Sequence, residues 1–263
     1  MSSYELITLA YQDEYATITM NHPQRRNALS LKHMQELTDA FRRVGDSNAL
    51  GVILAANGPA FCAGHDFADM VGQDIVAMRK LLKVCTTLMN TIQEIPQPVL
   101  ARVHAVATAA GCQLVATCDL AVASTEASFA TPGGKGGWFC TTPMVAVSRN
   151  IGRKRALQML LTGESIDAYT AAQWGLVNTV VSPEDLVPTT QHLLVSATRG
   201  SFLSKGVGKQ AYYAQIDLPQ EQAYNYALEV MASSSQIPDA QEGMNAFLEK
   251  RKPRFTPPSR ERS

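Results

Sequence analysis

Two short stretches of this 263-residue chain carry residue types suited to holding a developing negative charge: "FCAGHDF" (61–67) and "ATAAGCQLV" (107–115). The first sets Ala63 and Gly64 ahead of a short helical stretch beginning near Asp66; in the second, Ala109, Ala110 and Gly111 open a helix. The first N–H groups of a helix have no internal acceptor, and the helix dipole favours negative charge at that end. Two such groups converging on one point would hold an oxyanion. Small residues also suit plain tight packing of a strand against a helix, and spacing alone leaves both readings open. Beside these backbone groups stand few titratable candidates. His65 leaves the first stretch with an ordinary pKa of about 6.5, so it could exchange protons or pair with a carboxylate, or simply face solvent. Gln113 is a neutral amide: it can orient a water or a carbonyl, or face a neighbouring backbone amide, but it cannot act as a general base. Asp66 and Asp69 read as helix-start charges. Cys140, next to Trp138 and Phe139, reads as part of an apolar wall that raises a thiol pKa.

The elements that must position these groups alternate along the chain. Residues 4–10 and 15–20 alternate apolar and polar residues around a turn, predicting a hairpin. Ser30 opens a helix with the stripe Leu31, Met34, Leu37, Phe41 and Val44. Strands follow at 51–55, 99–104 and 120–123, with helices over 74–95 and 109–118; the first of these helices is stopped by the prolines of "IPQP". Strand–helix alternation of this kind implies an α/β architecture with parallel pairing. Helical patterns then cover 141–161, 167–174 behind an Asp167 cap, and everything after about 183, apart from the strand "LVNTVV" at 176–181. The closing Pro/Arg/Ser tail is expected to fray. A boundary near residue 200 divides a core (1–200) from a helical C-terminal region (201–263).

Composition narrows the function classes. Lys+Arg and Asp+Glu are 23 each, so no long-range field draws the chain to nucleic acid or to anionic membrane. No apolar run nears the roughly 20 residues that span a bilayer. The first residues enter a strand pattern directly, without a leader, which predicts a cytoplasmic protein. Five cysteines with no CxxC predict reduced core thiols and no metal site.

The blocks "AFCAGHDF", "ATAAGCQLVATCDLAVAS", "SFATPGGKGGW", "LTGESIDAYTAAQWGLVNTVV" and "EGMNAFLEKRKPRF" resemble, in order and spacing over nearly the whole chain, the crotonase (enoyl-CoA hydratase/isomerase) superfamily. The pairing of "ATAAGCQLVA" with "SFATPG" looks most like its enoyl-CoA hydratase domain-containing protein 3 group. The resemblance implies a crotonase-like spiral of ββα units with a C-terminal helical trimerisation domain. It also implies acyl-CoA thioester substrates, no cofactor beyond the coenzyme A of the substrate, and a homotrimer or hexamer. Matched position by position, the family's oxyanion hole falls on the backbone N–H groups of His65 and Ala110; Ala110 stands where many relatives have glycine. Coenzyme A contacts fall on Arg25, Arg26, Ala28, Ala63, Asp66 and Phe67, with Lys250 for the phosphates. Phe67, Met70, Val71, Met89, Trp138 and Phe139 are the apolar residues from which an acyl pocket would be built.

The chain departs from the family where hydration chemistry resides. The two glutamates that flank the water in hydratases fall on Gln113 and Gly133, and Gly133 lies in "PGGKGG", where a positive φ is expected. Three readings follow. The first is a hydratase/isomerase-family enzyme of lipid metabolism with weak hydration. The second is another enolate reaction, such as decarboxylation or thioester hydrolysis. The third is an acyl-CoA-binding protein without catalysis.

Overall fold

The computed structural model describes residues 4–257. The hairpin forms from β1 (Ile7–Gln12) and β2 (Tyr15–Met20), antiparallel, with Gln12 opposite Tyr15 across a two-residue turn. Ala16, Ile18 and Met20 alternate into the core, the period that a half-buried strand requires. Helix α1 (Leu31–Gly45) starts where Ser30 Oγ accepts the His33 N–H at 3.1 Å. The same device, with aspartate as acceptor, starts α2 (Ile75–Glu94) at Asp74 and α6 (Ala168–Trp174) at Asp167.

Between these helices the chain runs a repeated path. It lays β3 (Gly51–Ala56) in one sheet, β4 (Ala60–Cys62) in a second, and then forms α2. The next turn lays β5 (Val99–Val103) and β6 (Val106–Thr108) and forms α3 (Ala110–Thr117). A third lays β7 (Leu120–Ser124) and β8 (Ser128–Ala130) and leads to α4 (Pro143–Asn150) and α5 (Arg153–Thr162). With β9 (Ile166–Asp167) and β10 (Thr179–Val181), the sheets run β1-β2-β3-β5-β7-β10 and β4-β6-β8-β9, parallel between the three turns and antiparallel where β9 meets β8. This is the ββα spiral of the crotonase fold. Phe41, Phe61 and Phe129 are the largest wholly buried side chains of its core.

Helices α7 (Leu186–Thr198), α8 (Phe202–Gln215), α9 (Gln220–Ser234) and α10 (Pro238–Leu248) follow. One buried polar cluster ties α8 to the spiral. Lys209 Nζ lies 2.7 Å from Asp119 and donates to the carbonyls of Ile92 and Gln97, and Tyr213 donates to Asp119 at 2.7 Å. No helix among the described residues is long and apolar enough to cross a membrane.

Several expectations need correcting. The helical pattern over 141–161 is two helices, broken at Ile151–Gly152, where Gly152 turns to extended backbone. The strands of the second sheet were not placed from the sequence pattern: each has two or three residues, too few to show a period. Gly133 does not have a positive φ; in that loop Gly137 does. The fraying tail lies outside the described residues from 258 onward.

Candidate active site

The two stretches singled out above meet at a cavity of about 610 Å³. Ala63, His65 and Phe67 line one side, Thr108, Ala109 and Ala110 the next, and the segments 132–136 and 138–143 the rest, except that Gly134 is set back. Glycine makes the meeting possible. A Cβ on Gly64 (φ 93°) would lie 2.9 Å from Ala109 Cβ and 3.1 Å from the Thr108 carbonyl. A Cβ on Gly111 would lie 2.2 Å from the Cys62 carbonyl oxygen. Gly111 is therefore small so that the first turn of α3 can seat on the end of β4, which is the tight-packing reading. The neighbouring Ala110 faces the cavity. The tight-packing reading of "ATAAG" therefore belongs to Gly111.

The backbone donors are set by their surroundings. Leu29 N–H bonds the Gly64 carbonyl at 2.7 Å and Asp66 N–H bonds the Leu29 carbonyl at 3.2 Å. In this parallel bridge the intervening N–H of His65 turns to the opposite side. Ala110 is the first residue of α3, so its N–H has no intrahelical acceptor. Neither N–H has a protein acceptor among the described residues. Ala109 holds φ 51°, ψ −117°, a conformation ordinarily left to glycine, and is pinned there by its own N–H to Ala130 (2.9 Å) and by Gln113 N–H to its carbonyl (3.1 Å).

The candidate coenzyme A residues sort into three places. Ala63 and Phe67 line the cavity. Arg25, Arg26, Ala28 and Asp66 lie on the loop beside it: Arg25 bonds Asp66 at 2.6 Å, and Ala63 N–H bonds the Arg26 carbonyl at 3.0 Å. Asn27, overlooked in the sequence, staples this loop by donating to the carbonyls of Asn57 and Ala60. The Ala28 carbonyl is already engaged by His33 Nδ1. Lys250 stands apart, past the end of α10, and does not line the cavity. Asp66 caps the short 3-10 turn Phe67–Asp69, and Asp69 accepts the Leu31 N–H at the start of α1, so both are helix-start charges. Burial works to raise the Asp66 pKa, but the Arg25 guanidinium and the Ala68 N–H outweigh it and hold it below the usual range.

His65 lines the cavity with both ring nitrogens buried and without a good hydrogen-bond partner, its ring 6.4 Å from that of Trp138. Burial pushes its pKa down, opposed only by the Leu29 backbone, so at neutral pH the ring is uncharged. Gln113 is buried behind the lining, with its Oε1 unpartnered. Gly133 does line the cavity, but a Cβ there would fall 2.2 Å from the Trp138 carbonyl oxygen and 2.7 Å from Cys140 Sγ. Backbone and sulfur fill the space, so no side chain fits. Cys140 Sγ accepts the Gly133 N–H at 3.3 Å, and burial raises its pKa, as an apolar wall would. All five thiols are free and buried. Of the expected pocket apolars, Phe67, Trp138 and Phe139 line the cavity; Met70 and Val71 do not, and Met89 is core. Lys135 was overlooked, although a lone lysine among four glycines was its signal.

Among the described residues, no three His, Cys, Asp or Glu side chains are grouped to hold a metal ion. What the cavity can do chemically is bind a polarised oxygen at two N–H groups inside an apolar enclosure, with no carboxylate lining it.

Comparisons with known proteins show the family of the chain. The sequence profile of the enoyl-CoA hydratase/isomerase family matches residues 11–258. The zebrafish (Danio rerio) protein named enoyl-CoA hydratase domain-containing protein 3, mitochondrial, is 43% identical over 240 residues, 90% of this chain and 82% of its own. Its human counterpart is 41% identical over 245 residues, 92% and 80%. The crystal structure of an enoyl-CoA hydratase from Mycobacterium smegmatis superposes with a TM-score of 0.92 at 44% identity, covering 95% of this chain and 98% of that one. That of human enoyl-CoA hydratase domain-containing protein 3 gives 0.91 at 38%, covering 95% and 100%. The mitochondrial names of such relatives overturn the cytoplasmic expectation; the pattern of the first residues, on which it rested, is no guide to compartment. With a family profile spanning nearly its whole length and relatives at these identities, the chain belongs to the enoyl-CoA hydratase/isomerase family.

Proposed function

We propose that the protein binds an acyl-CoA thioester with the carbonyl oxygen between the N–H groups of His65 and Ala110, and stabilises the enolate that forms there. The observation that carries this is the pair of acceptor-free backbone donors at one apolar cavity. In comparable sites one such donor is worth about 2.7–4 kcal/mol in the transition state. Coenzyme A enters as part of the substrate, held by the loops of Arg25, Arg26, Ala28, Ala63, Asp66 and Phe67; no separate cofactor is needed. Hydration itself is slow in this reading. It needs a base for the water and an acid for the α-carbon, and Gln113 and Gly133 supply neither.

The lining without a carboxylate favours a second reading, enolate formation that needs no base. Loss of CO₂ from an acyl chain carboxylated at the α-carbon fits it: the C–C bond breaks, its electron pair becomes the enolate, and water protonates the carbon. Residues 201–263 form the oligomerisation region of a trimer or hexamer in this account.

Isothermal titration of butyryl-CoA and of free CoA tests the proposal. Ala110→Val, whose extra methyl groups crowd the thioester, is expected to weaken butyryl-CoA at least tenfold and leave CoA unchanged, with a thermal melt to control for folding. A folded Ala110→Val that binds both like the parent would contradict the assignment.

A further inference from the structure

Two wholly buried side chains outside the cavity lining spend their polar atoms on the backbone of the loop beside it. Asn27 Oδ1 accepts the His22 N–H at 2.8 Å, and its Nδ2 donates to the Asn57 carbonyl at 2.8 Å and to the Ala60 carbonyl at 2.9 Å. Both amide protons and the amide oxygen are engaged, a set that aspartate, with no proton to donate, could not reproduce. The loop needs such holding. Arg26 and Asn27 have φ of 50° and 53° in succession, a left-handed region in which asparagine is enriched and arginine is not. His33, in the first turn of α1, sets its Nδ1 3.0 Å from the Ala28 carbonyl. A carbonyl only accepts, so the neutral ring carries its proton on Nδ1.

The loop that these two residues clamp is the one that meets the first donor of the cavity. Ala63 N–H bonds the Arg26 carbonyl at 3.0 Å, Leu29 N–H the Gly64 carbonyl at 2.7 Å, and Asp66 N–H the Leu29 carbonyl at 3.2 Å. Residues 63–66 therefore run along 26–29 as a short parallel pair, and the direction of the His65 N–H follows the placement of Leu29. Asn27 reaches the same segment from its other side, because Ala60 heads the three-residue strand that leads into it. A hydrogen bond weakens steeply as its angle closes, so a donor is only as useful as the backbone that aims it. We infer that Asn27 and His33 are positioning residues of the oxyanion site, which aim the His65 N–H through the backbone of residues 26–29. This rests on the thioester reading given under Proposed function. A role confined to the coenzyme A loop is the competing account, and the test separates the two.

The ¹³C carbonyl resonance of [1-¹³C]butyryl-CoA is compared free and bound, on the parent, Asn27→Gly and His33→Phe, with free CoA titrated calorimetrically on each. Glycine keeps the left-handed backbone of position 27 and removes only the side-chain bonds, so Asn27→Gly is the variant most able to fold. Ser201→Ala, which strips the cap of α8 outside the lining and lowers the thermal melt, controls for lost stability. The parent is expected to show a downfield displacement on binding. Asn27→Gly should lose about half of it, as when one of two donors is misaimed, and His33→Phe a smaller part. Ser201→Ala should keep it whole. A folded Asn27→Gly with the parent's displacement overturns the inference; if its CoA affinity alone falls, Asn27 belongs to the coenzyme A loop. Equal shrinkage in Ser201→Ala, or failure of both Asn27→Gly and His33→Phe to fold, makes the two residues structural and overturns it as well. A parent with no displacement fails the thioester reading first, and this inference with it.

Discussion

At the scale of single residues, Ala109 is the most constrained position of the site. Its φ of 51° with ψ of −117° costs an L-residue on the order of 1–3 kcal/mol. Against that stands the roughly 0.5–1 kcal/mol that glycine's extra freedom costs. Ala109→Gly is therefore expected to stabilise the protein or leave it unchanged in urea titration, while holding the Ala110 N–H less firmly; a clear loss of stability would show the conformation to be unstrained. The missing carboxylates give a second expectation. Each absent acid–base group is worth about 10²–10⁴-fold, so crotonyl-CoA hydration should run several orders of magnitude below a two-glutamate relative. Restoring both glutamates is not expected to rescue it, because a Cβ at Gly133 collides with the Trp138 carbonyl. Gly133→Glu should lower the melting temperature sharply, and a well-folded Gly133→Glu enzyme would refute that packing. Acid sensitivity belongs to this scale too. Burial holds both His33 and His65 below the ordinary histidine pKa. Below about pH 6.5 the unfolded chain takes up protons that the folded one refuses, so each ring removes up to about 1.4 kcal/mol of stability per pH unit as pH falls. Urea midpoints from pH 7.5 to 5 should show the decline, and His65→Gln should make it shallower; an unchanged slope would mean that the His65 ring is protonated in place.

At the scale of elements, the Asp119–Lys209–Tyr213 cluster is what holds α8 against the spiral. Burial lowers the Lys209 pKa while Asp119 works to restore it, so the ammonium depends on its partner. Lys209→Ala is expected to cost about 1–3 kcal/mol in chemical denaturation, since the half-buried Asp119 keeps the Val99 N–H and the Tyr213 hydroxyl but loses its counter-charge. Asp119→Asn combined with Lys209→Met should recover part of that loss. A cost under 1 kcal/mol for Lys209→Ala would show the cluster to be solvated. This is also the scale at which the sequence was most and least legible. Helices announced themselves through caps whose chemistry is local: Ser30, and Asp167. The strands Ala60–Cys62, Val106–Thr108 and Ser128–Ala130 are set by tertiary pairing, and three residues cannot display a period. The candidate site was legible at Gly64, whose residue type reveals its backbone. It was illegible at Ala109, where alanine conceals a glycine-like conformation.

At the scale of the whole molecule, the C-terminal helices leave much apolar surface uncovered. Tyr224, Leu228, Met231, Phe247 and Leu248 are 61–83% exposed in a single chain. Tyr213 in the same region turns inward to Asp119. Exposed apolar surface on this scale is uncommon on a monomer. A trimeric or hexameric mass by light scattering at micromolar concentration is expected, with Leu228→Glu combined with Met231→Glu shifting it downward; a monomeric parent would contradict the oligomer. Oligomer or not, the account stands on the two backbone donors. The direct measurement is the ¹³C resonance of the thioester carbonyl in [1-¹³C]butyryl-CoA bound to the protein. A carbonyl polarised by the His65 and Ala110 N–H groups should move downfield on binding. Ala110→Pro deletes one donor but strains the Ala109 backbone before it (φ 51°, ψ −117°), so with a thermal melt confirming the fold it should shrink that shift while CoA affinity is retained. A bound carbonyl resonating where the free one does, or a shift of the same size in a folded Ala110→Pro protein, would contradict the oxyanion site.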